Sequence, residues 1–282
     1  MARRLSAPYN TEPRSTLAVW SRHLALFSLI ATIVSIIVVR FGFLEFRPAL
    51  MTFAGALALA GLSILVAIAA FASIWQTGAR GFGAIALALV INAVILAYPA
   101  YLALQYRKLP AIHDITTDVL DPPRFEVLAR LRVGDGANTA AYAGLYSAEQ
   151  QRIAYPDIEP LIVETTPQKA YDTALEIITK RKWRIVDTRP PQPRRAGHIE
   201  AIALTPVMGF RDDVVVRIAA DGEGTRIDLR SSSRYFEHDL GSNASRIRAL
   251  IADISDNVDD SPAPAVTPQK KGAQSGKGSA KR

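Results

Sequence analysis

Hydrophobic and polar positions divide this chain into two unlike halves. Three long apolar runs come first, at residues 20–39, 49–75 and 82–104, joined by short polar links. A helix that crosses the hydrocarbon core of a bilayer needs about 20 apolar residues, so each run is long enough, the second with room for tilt. Trp20, Trp75, Tyr98, Tyr101 and Tyr106 fall near the run ends, where amphipathic rings favour the headgroup zone. The first run does not read as a signal peptide, because it lacks a small-residue cleavage site and Arg40 follows it directly. Small residues recur in the second run (Gly55, Ala56, Ala60, Gly61, Ala67), which predicts close packing within a helical bundle. Asn92 is the one strongly polar side chain inside the third run, and its amide is expected to bond a neighbouring helix. No run buries an acid or a base, which argues against a pump or an ion-coupled carrier.

Beyond Lys108 the pattern changes. Residues 109–123 mix prolines with alternating acidic and apolar positions, as suits an extended segment leaving a membrane. Pro122 and Pro123 are placed to open a short helix running to Leu131. Residues 134–160 carry Gly, Asn and Pro punctuation and read as mostly irregular. A short strand is expected at 161–164. A helix follows, with Thr166 as its N-cap, Pro167 at its first position and Ala170, Tyr171, Ala174, Leu175 and Ile178 along its apolar face. Lys180, Arg181 and Lys182 close it, where cations complement the helix dipole.

Four strands are then expected, at 183–188, 198–205, 213–219 and 226–233. In the last two, Val214, Val216, Ile218, Ile227 and Leu229 alternate as core positions. Residues 221–224 (DGEG) signal a hairpin between them. The favoured register sets Arg217 opposite Asp228, since opposite charges across strands are preferred to Arg217 facing Arg226. A closing helix begins near Ser242 with Ile247, Leu250, Ile251, Ile254 and Val258 on its buried stripe. The fold class is therefore a three-helix membrane anchor followed by an α+β domain, an antiparallel sheet of about five strands with two helices on one face.

Charge refines this picture. The formal net charge is +7, but the tail after Asp260 holds five basic residues and no acid, so the folded part is nearer balance and nucleic acid is not an expected partner. The absence of cysteine excludes disulfides, thiol catalysis and cysteine-based metal sites. With the N-terminus inside, Arg3, Arg4, Arg14, Arg22 and Arg80 are cytoplasmic, against Arg40, Arg47, Arg107 and Lys108 outside. That balance favours an outward-facing C-terminal domain. The expected organisation is a cytoplasmic tail at 1–19, a membrane region at 20–106, a soluble domain at 109–259 and a disordered basic tail at 260–282.

Candidate chemistry is sparse. His113, Asp114 and Asp118 are the residue types of a divalent-metal hydrolase, although His113 and Asp114 are sequence neighbours, and neighbours on an extended segment point apart. The bland reading has Asp114 and the following threonines bonding local backbone. Asp239 is expected at the start of the last helix, and Ser231, Ser232 and Ser233 lack a nucleophile-elbow setting. On the outer sheet face Arg226, Arg230 and Arg234 form a row beside Arg217, a candidate site for phosphates or anionic headgroups, partly neutralised by Asp228 and Glu200. The apolar connection 206–210 (PVMGF) is a second candidate contact surface, for lipid, for a partner or for the underside of the sheet.

Four segments in order, IHDITTDVLDPP at 112–123, YPDIEPL at 155–161, GFRDDVVVRI at 209–218 and RIDLRSSSRYFEHDLGSNASRIR at 226–248, resemble the bacterial family called domain of unknown function 1499. The resemblance covers about 109–259 and implies a domain boundary, with no catalytic residue to carry over. Members often follow an export or lipid-anchor signal, which implies the same outward placement. The expectation is a multi-pass protein of the bacterial inner membrane with a periplasmic, non-catalytic domain that needs no cofactor and binds an envelope protein or an anionic ligand. The alternative is the metal hydrolase of His113, Asp114 and Asp118.

Overall fold

A computed structural model of the chain describes residues 13–44, 46–132 and 136–260. The expected tails to residue 12 and from 261 lie outside the described residues. Three helices come first, α1 (Thr16–Arg40), α2 (Phe46–Thr77) and α3 (Phe82–Lys108), all long and apolar enough to cross a membrane. The first begins four residues ahead of the apolar run, because the Ser15 hydroxyl caps it by accepting the Ala18 N–H at 3.3 Å.

Buried positions on α1 (Ala18, Ser21, Ala25, Ser28, Thr32, Ser35) recur at alternating spacings of three and four. That period brings one narrow stripe against a neighbour in the manner of a left-handed coiled coil. Facing it on α2 are Ala49, Ala56, Ala60, Ser63, Ala67 and Ala70, all buried. Polar groups bridge the seams: Ser28 donates to the Ala56 carbonyl at 2.9 Å, Ser63 to the Ser21 carbonyl at 3.0 Å and the Asn92 amide to Ser63 Oγ at 2.9 Å. The partner expected for Asn92 is thus on α2. The alanines of α2 pack as expected, but its glycines do not: a Cβ at Gly55 or Gly61 would meet nothing within 4 Å. Close approach here is set by alanine and serine.

The soluble part contains β1 (Asp114–Thr116), α4 (Val127–Leu131), α5 (Leu145–Ala154), β2 (Leu161–Val163), α6 (Pro167–Lys180), β3 (Arg184–Arg189), β4 (Gly197–Leu204), β5 (Arg211–Asp221), β6 (Gly224–Ser233) and α7 (Ser242–Asp260). The sheet is antiparallel in the order β1-β6-β5-β4-β3, and β2 also pairs with β6, further along the same edge as β1. The β5–β6 register sets Arg217 opposite Asp228, as cross-strand charge predicts. Ile199, Val214, Val216, Ile218, Ile227 and Leu229 turn to one face and meet Ala174 and Ile178 of α6 and Ile247, Leu250 and Ile254 of α7. Each valine, leucine or isoleucine among them contributes about 1.5–3 kcal/mol on full burial, and this layer is the principal core.

Three local features depart from expectation, the first being that the short helix α4 begins at Val127 behind the N-cap Glu126 and not at Pro122 or Pro123. Residues 145–154 form a ten-residue helix rather than irregular chain. Gly144 caps it without a side-chain bond, and its buried face is Ser147, Ala148 and Gln151, so it carries neither an apolar stripe nor a capping signal. Gln151 explains its placement, since its amide exchanges both bonds with the Thr116 backbone at 3.0 and 2.6 Å. The outer face of the sheet is also not open. The segment leaving the membrane pairs with β6 as β1 and then crosses that face as α4 and the residues before it, where Phe125 and Leu128 pack on Ile202 and Val215.

The connection 206–210 meets the membrane helices of its own chain. Met208 is buried with Val39 and Ala49, beside Phe53. Arg40 donates Nη1 to the Pro206 carbonyl at 2.7 Å. Gly209 lies against Arg40 with φ +68°, where a Cβ would come 3.1 Å from the Arg40 Cα, so both the backbone conformation and the close approach favour glycine. A second attachment sits at the end of α3, where the His238 ring lies 4.9 Å from that of Tyr106 and its Nε2 bonds the Leu109 carbonyl at 3.1 Å.

Candidate anion-binding cleft

The outer-face arginines are held inside the fold. Arg230 is 2% exposed and grips Asp114 with Nε and Nη2 at 2.9 and 2.6 Å. Its other contacts are the Pro123 and Ala140 carbonyls and the Phe125 and Tyr142 rings, 4.6 and 5.5 Å away. Arg234 donates twice to Asp213 Oδ1, and Arg132 takes Asp213 Oδ2 at 2.7 Å. Arg217 reaches Asp228, Asp121 and Asp118, while Arg226 shares Asp228 and Asp118. The row expected on an open face is covered: Asp114, Asp118 and Asp121 fold back onto Arg230, Arg226 and Arg217, and Arg234 is held by Asp213 of β5. Arg217 and Arg226 keep partial exposure at 22% and 35% of their side chains.

Glu200 serves a different purpose from neutralising that row. Its carboxylate accepts the backbone N–H groups of Glu126 at 2.5 Å and Leu128 at 2.7 Å, and lies 2.9 Å from His198 Nε2. It thereby fixes the start of α4 over the sheet. Burial pushes its pKa up, but the His198 bond and the two backbone N–H groups outweigh burial and hold it below the ordinary 4.5.

The residues of the metal reading are drawn apart. Asp114 ends in the Arg230 fork, and Asp118 accepts from Arg226 and Arg217 and from the Leu120 and Asp121 N–H groups. His113 Nε2 is buried without a hydrogen-bond partner among the described residues, and burial holds its pKa below 6.5. No group of three or more His, Asp or Glu converges as metal ligands among the described residues. Asp239 takes its expected place at the start of α7, accepting the Gly241 and Asn243 N–H groups at 3.0 and 2.7 Å.

A cleft of about 460 Å³ opens where the soluble domain meets the end of α1. That volume falls within the range of small-ligand sites. One wall is Val39, Arg40, Phe41 and Gly42; the other is Arg181, Lys182, Trp183 and Arg184 with Ile202, Leu204, Gly209 and Arg211. Cations thus arrive from the end of α1, the end of α6 and the first residues of β3 and β5. No Asp or Glu lines the cleft among the described residues. Arg181 is compensated by Asp253 at 2.6 Å, and Arg40 is fixed by backbone carbonyls, which orient it without neutralising it. Lys182, Arg184 and Arg211 make no ion pair with any described residue.

Lys182 is placed by a helix-ending motif. Its N–H bonds the Thr179 carbonyl at 2.9 Å and the Trp183 N–H bonds that of Ile178 at 3.3 Å, the paired bonds of a Schellman cap. The cap needs a left-handed residue, and Lys182 supplies it with φ +57°. A side chain there costs roughly 1–2 kcal/mol of backbone strain that glycine avoids. Residues 180–184 (KRKWR) read from sequence as dipole complement and strand start, and Arg40 as a membrane-flank charge. Their convergence depends on the loop 206–210 seating on α1, which residue spacing does not disclose.

A family model described as protein of unknown function, DUF1499, matches residues 114–254, half of the chain. No curated protein matches the chain.

Proposed function

This chain belongs to the DUF1499 family of proteins of unknown function, and on that footing we propose that it is a non-catalytic, membrane-anchored binding protein of the bacterial cell envelope whose soluble domain takes an anionic ligand. The observation that carries the reading is the convergence of Arg40, Lys182, Arg184 and Arg211 on one cleft without a lining carboxylate. Guanidinium and ammonium groups form charge-assisted bonds with phosphate and carboxylate oxygens. An anion entering the cleft relieves the mutual repulsion of these cations as well as forming those bonds. The internal pairing of Arg217, Arg226, Arg230 and Arg234 supports the cleft over the arginine row as the site.

The outward, periplasmic placement of the domain is part of this proposal. It is supported by the five basic residues flanking the spans on the N-terminal side against four on the other. A C-terminal alkaline phosphatase fusion is expected to be active in cells; an inactive fusion beside an active cytoplasmic reporter overturns the placement. For the site, calorimetric titration of the detergent-solubilised chain with glycerol 3-phosphate is expected to show one salt-sensitive site. Arg184→Gln with Arg211→Gln is expected to weaken it. No heat at low salt overturns the reading.

A further inference from the structure

Resting on the anion-site reading, we infer that the cleft seats the phosphate of an anionic glycerophospholipid headgroup, with the acyl chains remaining in the bilayer beside α1. Three observations lead there. The first is depth: one wall is the last turn of α1 and the residues just after it, so the cleft opens at the level where a bilayer carries its headgroups. Phe41 and Phe43 beside it are 70% and 74% exposed, apolar groups that face the same zone.

The second observation is selectivity of charge. A zwitterionic headgroup brings an ammonium that needs a carboxylate or an aromatic face. No described acid lines the cleft, the Trp183 ring is already covered by the Arg181 guanidinium at 5.4 Å, and the remaining aromatic wall, Phe41, stands beside Arg40, so an ammonium there meets ring contact at most and a surplus of like charge. A headgroup with phosphate and hydroxyls alone meets only donors. The third is the backbone of Lys182, where a lysine occupies a left-handed cap position that glycine fills without strain, at a residue that lines the cleft.

Lys182→Gly therefore removes a cleft cation while easing the backbone, so loss of binding cannot be attributed to loss of fold. The full chain is delipidated in detergent and incubated with equimolar phosphatidylglycerol and phosphatidylcholine, and retained lipid is counted by native mass spectrometry. Phosphatidylglycerol is expected to be retained in preference. Its affinity is expected to fall about fivefold in Lys182→Gly and about a hundredfold when Arg184→Gln and Arg211→Gln are added. The thermal midpoint of Lys182→Gly is expected to be no lower than that of the unaltered chain. Equal retention of the two lipids, or a triple variant that retains phosphatidylglycerol as before, overturns the inference. If glycerol 3-phosphate binds but neither lipid is enriched, the anion site stands and the lipid falls; if neither binds, both fall.

Discussion

Arginine is plentiful in two regions of the soluble domain, and the two treat it in opposite ways. Across the outer sheet face, Arg217, Arg226, Arg230 and Arg234 each meet a carboxylate of Asp114, Asp118, Asp213 or Asp228. At the membrane end of the same sheet, Arg40, Arg184 and Arg211 line a cleft with Lys182 and meet no lining acid among the described residues. A guanidinium already saturated by a buried carboxylate has few donors left for a ligand, and removing it leaves a buried charge alone. A cation without a carboxylate is cheap to remove for the fold and available to an anion. Pairing, more than the number of basic residues, separates a structural arginine from a binding one.

The sharpest test of the structural side is Arg230→Ala. It strands Asp114, which is fully buried, so a loss of roughly 3–5 kcal/mol is expected, read as the denaturation midpoint of the detergent-solubilised chain. A loss no larger than that of a surface substitution breaks the comparison. Next is Glu200→Gln, expected to cost about 1–3 kcal/mol near neutral pH by weakening the bonds that seat α4. The folded pKa of Glu200 lies below 4.5, so its contribution is present above that ordinary value and is lost as pH falls through the lowered one. The difference between Glu200→Gln and the unaltered chain should shrink on acidification; an equal difference in acid and at neutral pH contradicts the account.

Smaller effects follow. Asn92→Leu is expected to cost about 1 kcal/mol of bundle stability, since the Ser63 bond is worth what interhelical bonds in membranes usually are. Thermal aggregation of the full chain measures it, and an unchanged midpoint shows that the bond is idle. The smallest effect is expected in the cleft. Arg184→Gln with Arg211→Gln should move stability by no more than about 0.5 kcal/mol per site, as exposed and unpaired positions do. A larger loss would place them with the outer-face arginines.

Much of this architecture is legible in residue order. The alternation of Val214, Val216 and Ile218 fixes which face of β5 is core, and Arg217 facing Asp228 fixes its register with β6. Thr166 followed by Pro167 marks the start of α6. What escaped depends on contacts distant in sequence. The helix at Leu145–Ala154 is positioned by one buried glutamine, Gln151, on β1, a bond that leaves no periodic trace. The arginine row looked open because alternation shows which way side chains point and not what later covers them; Asp114 lies 116 residues from Arg230. The cleft was hidden for the same reason, as Arg40 meets the Pro206 carbonyl across 166 residues.

The division between paired and unpaired arginine is tested most directly by one titration on three forms of the full chain in detergent: unaltered, Arg184→Gln with Arg211→Gln, and Arg217→Gln with Arg226→Gln. Glycerol 3-phosphate is added while the thermal midpoint is followed. The account predicts a rise with ligand in the unaltered chain, kept in the outer-face variant from its own lower baseline and lost in the cleft variant. A rise lost only in the outer-face variant, or present in all three alike, contradicts it.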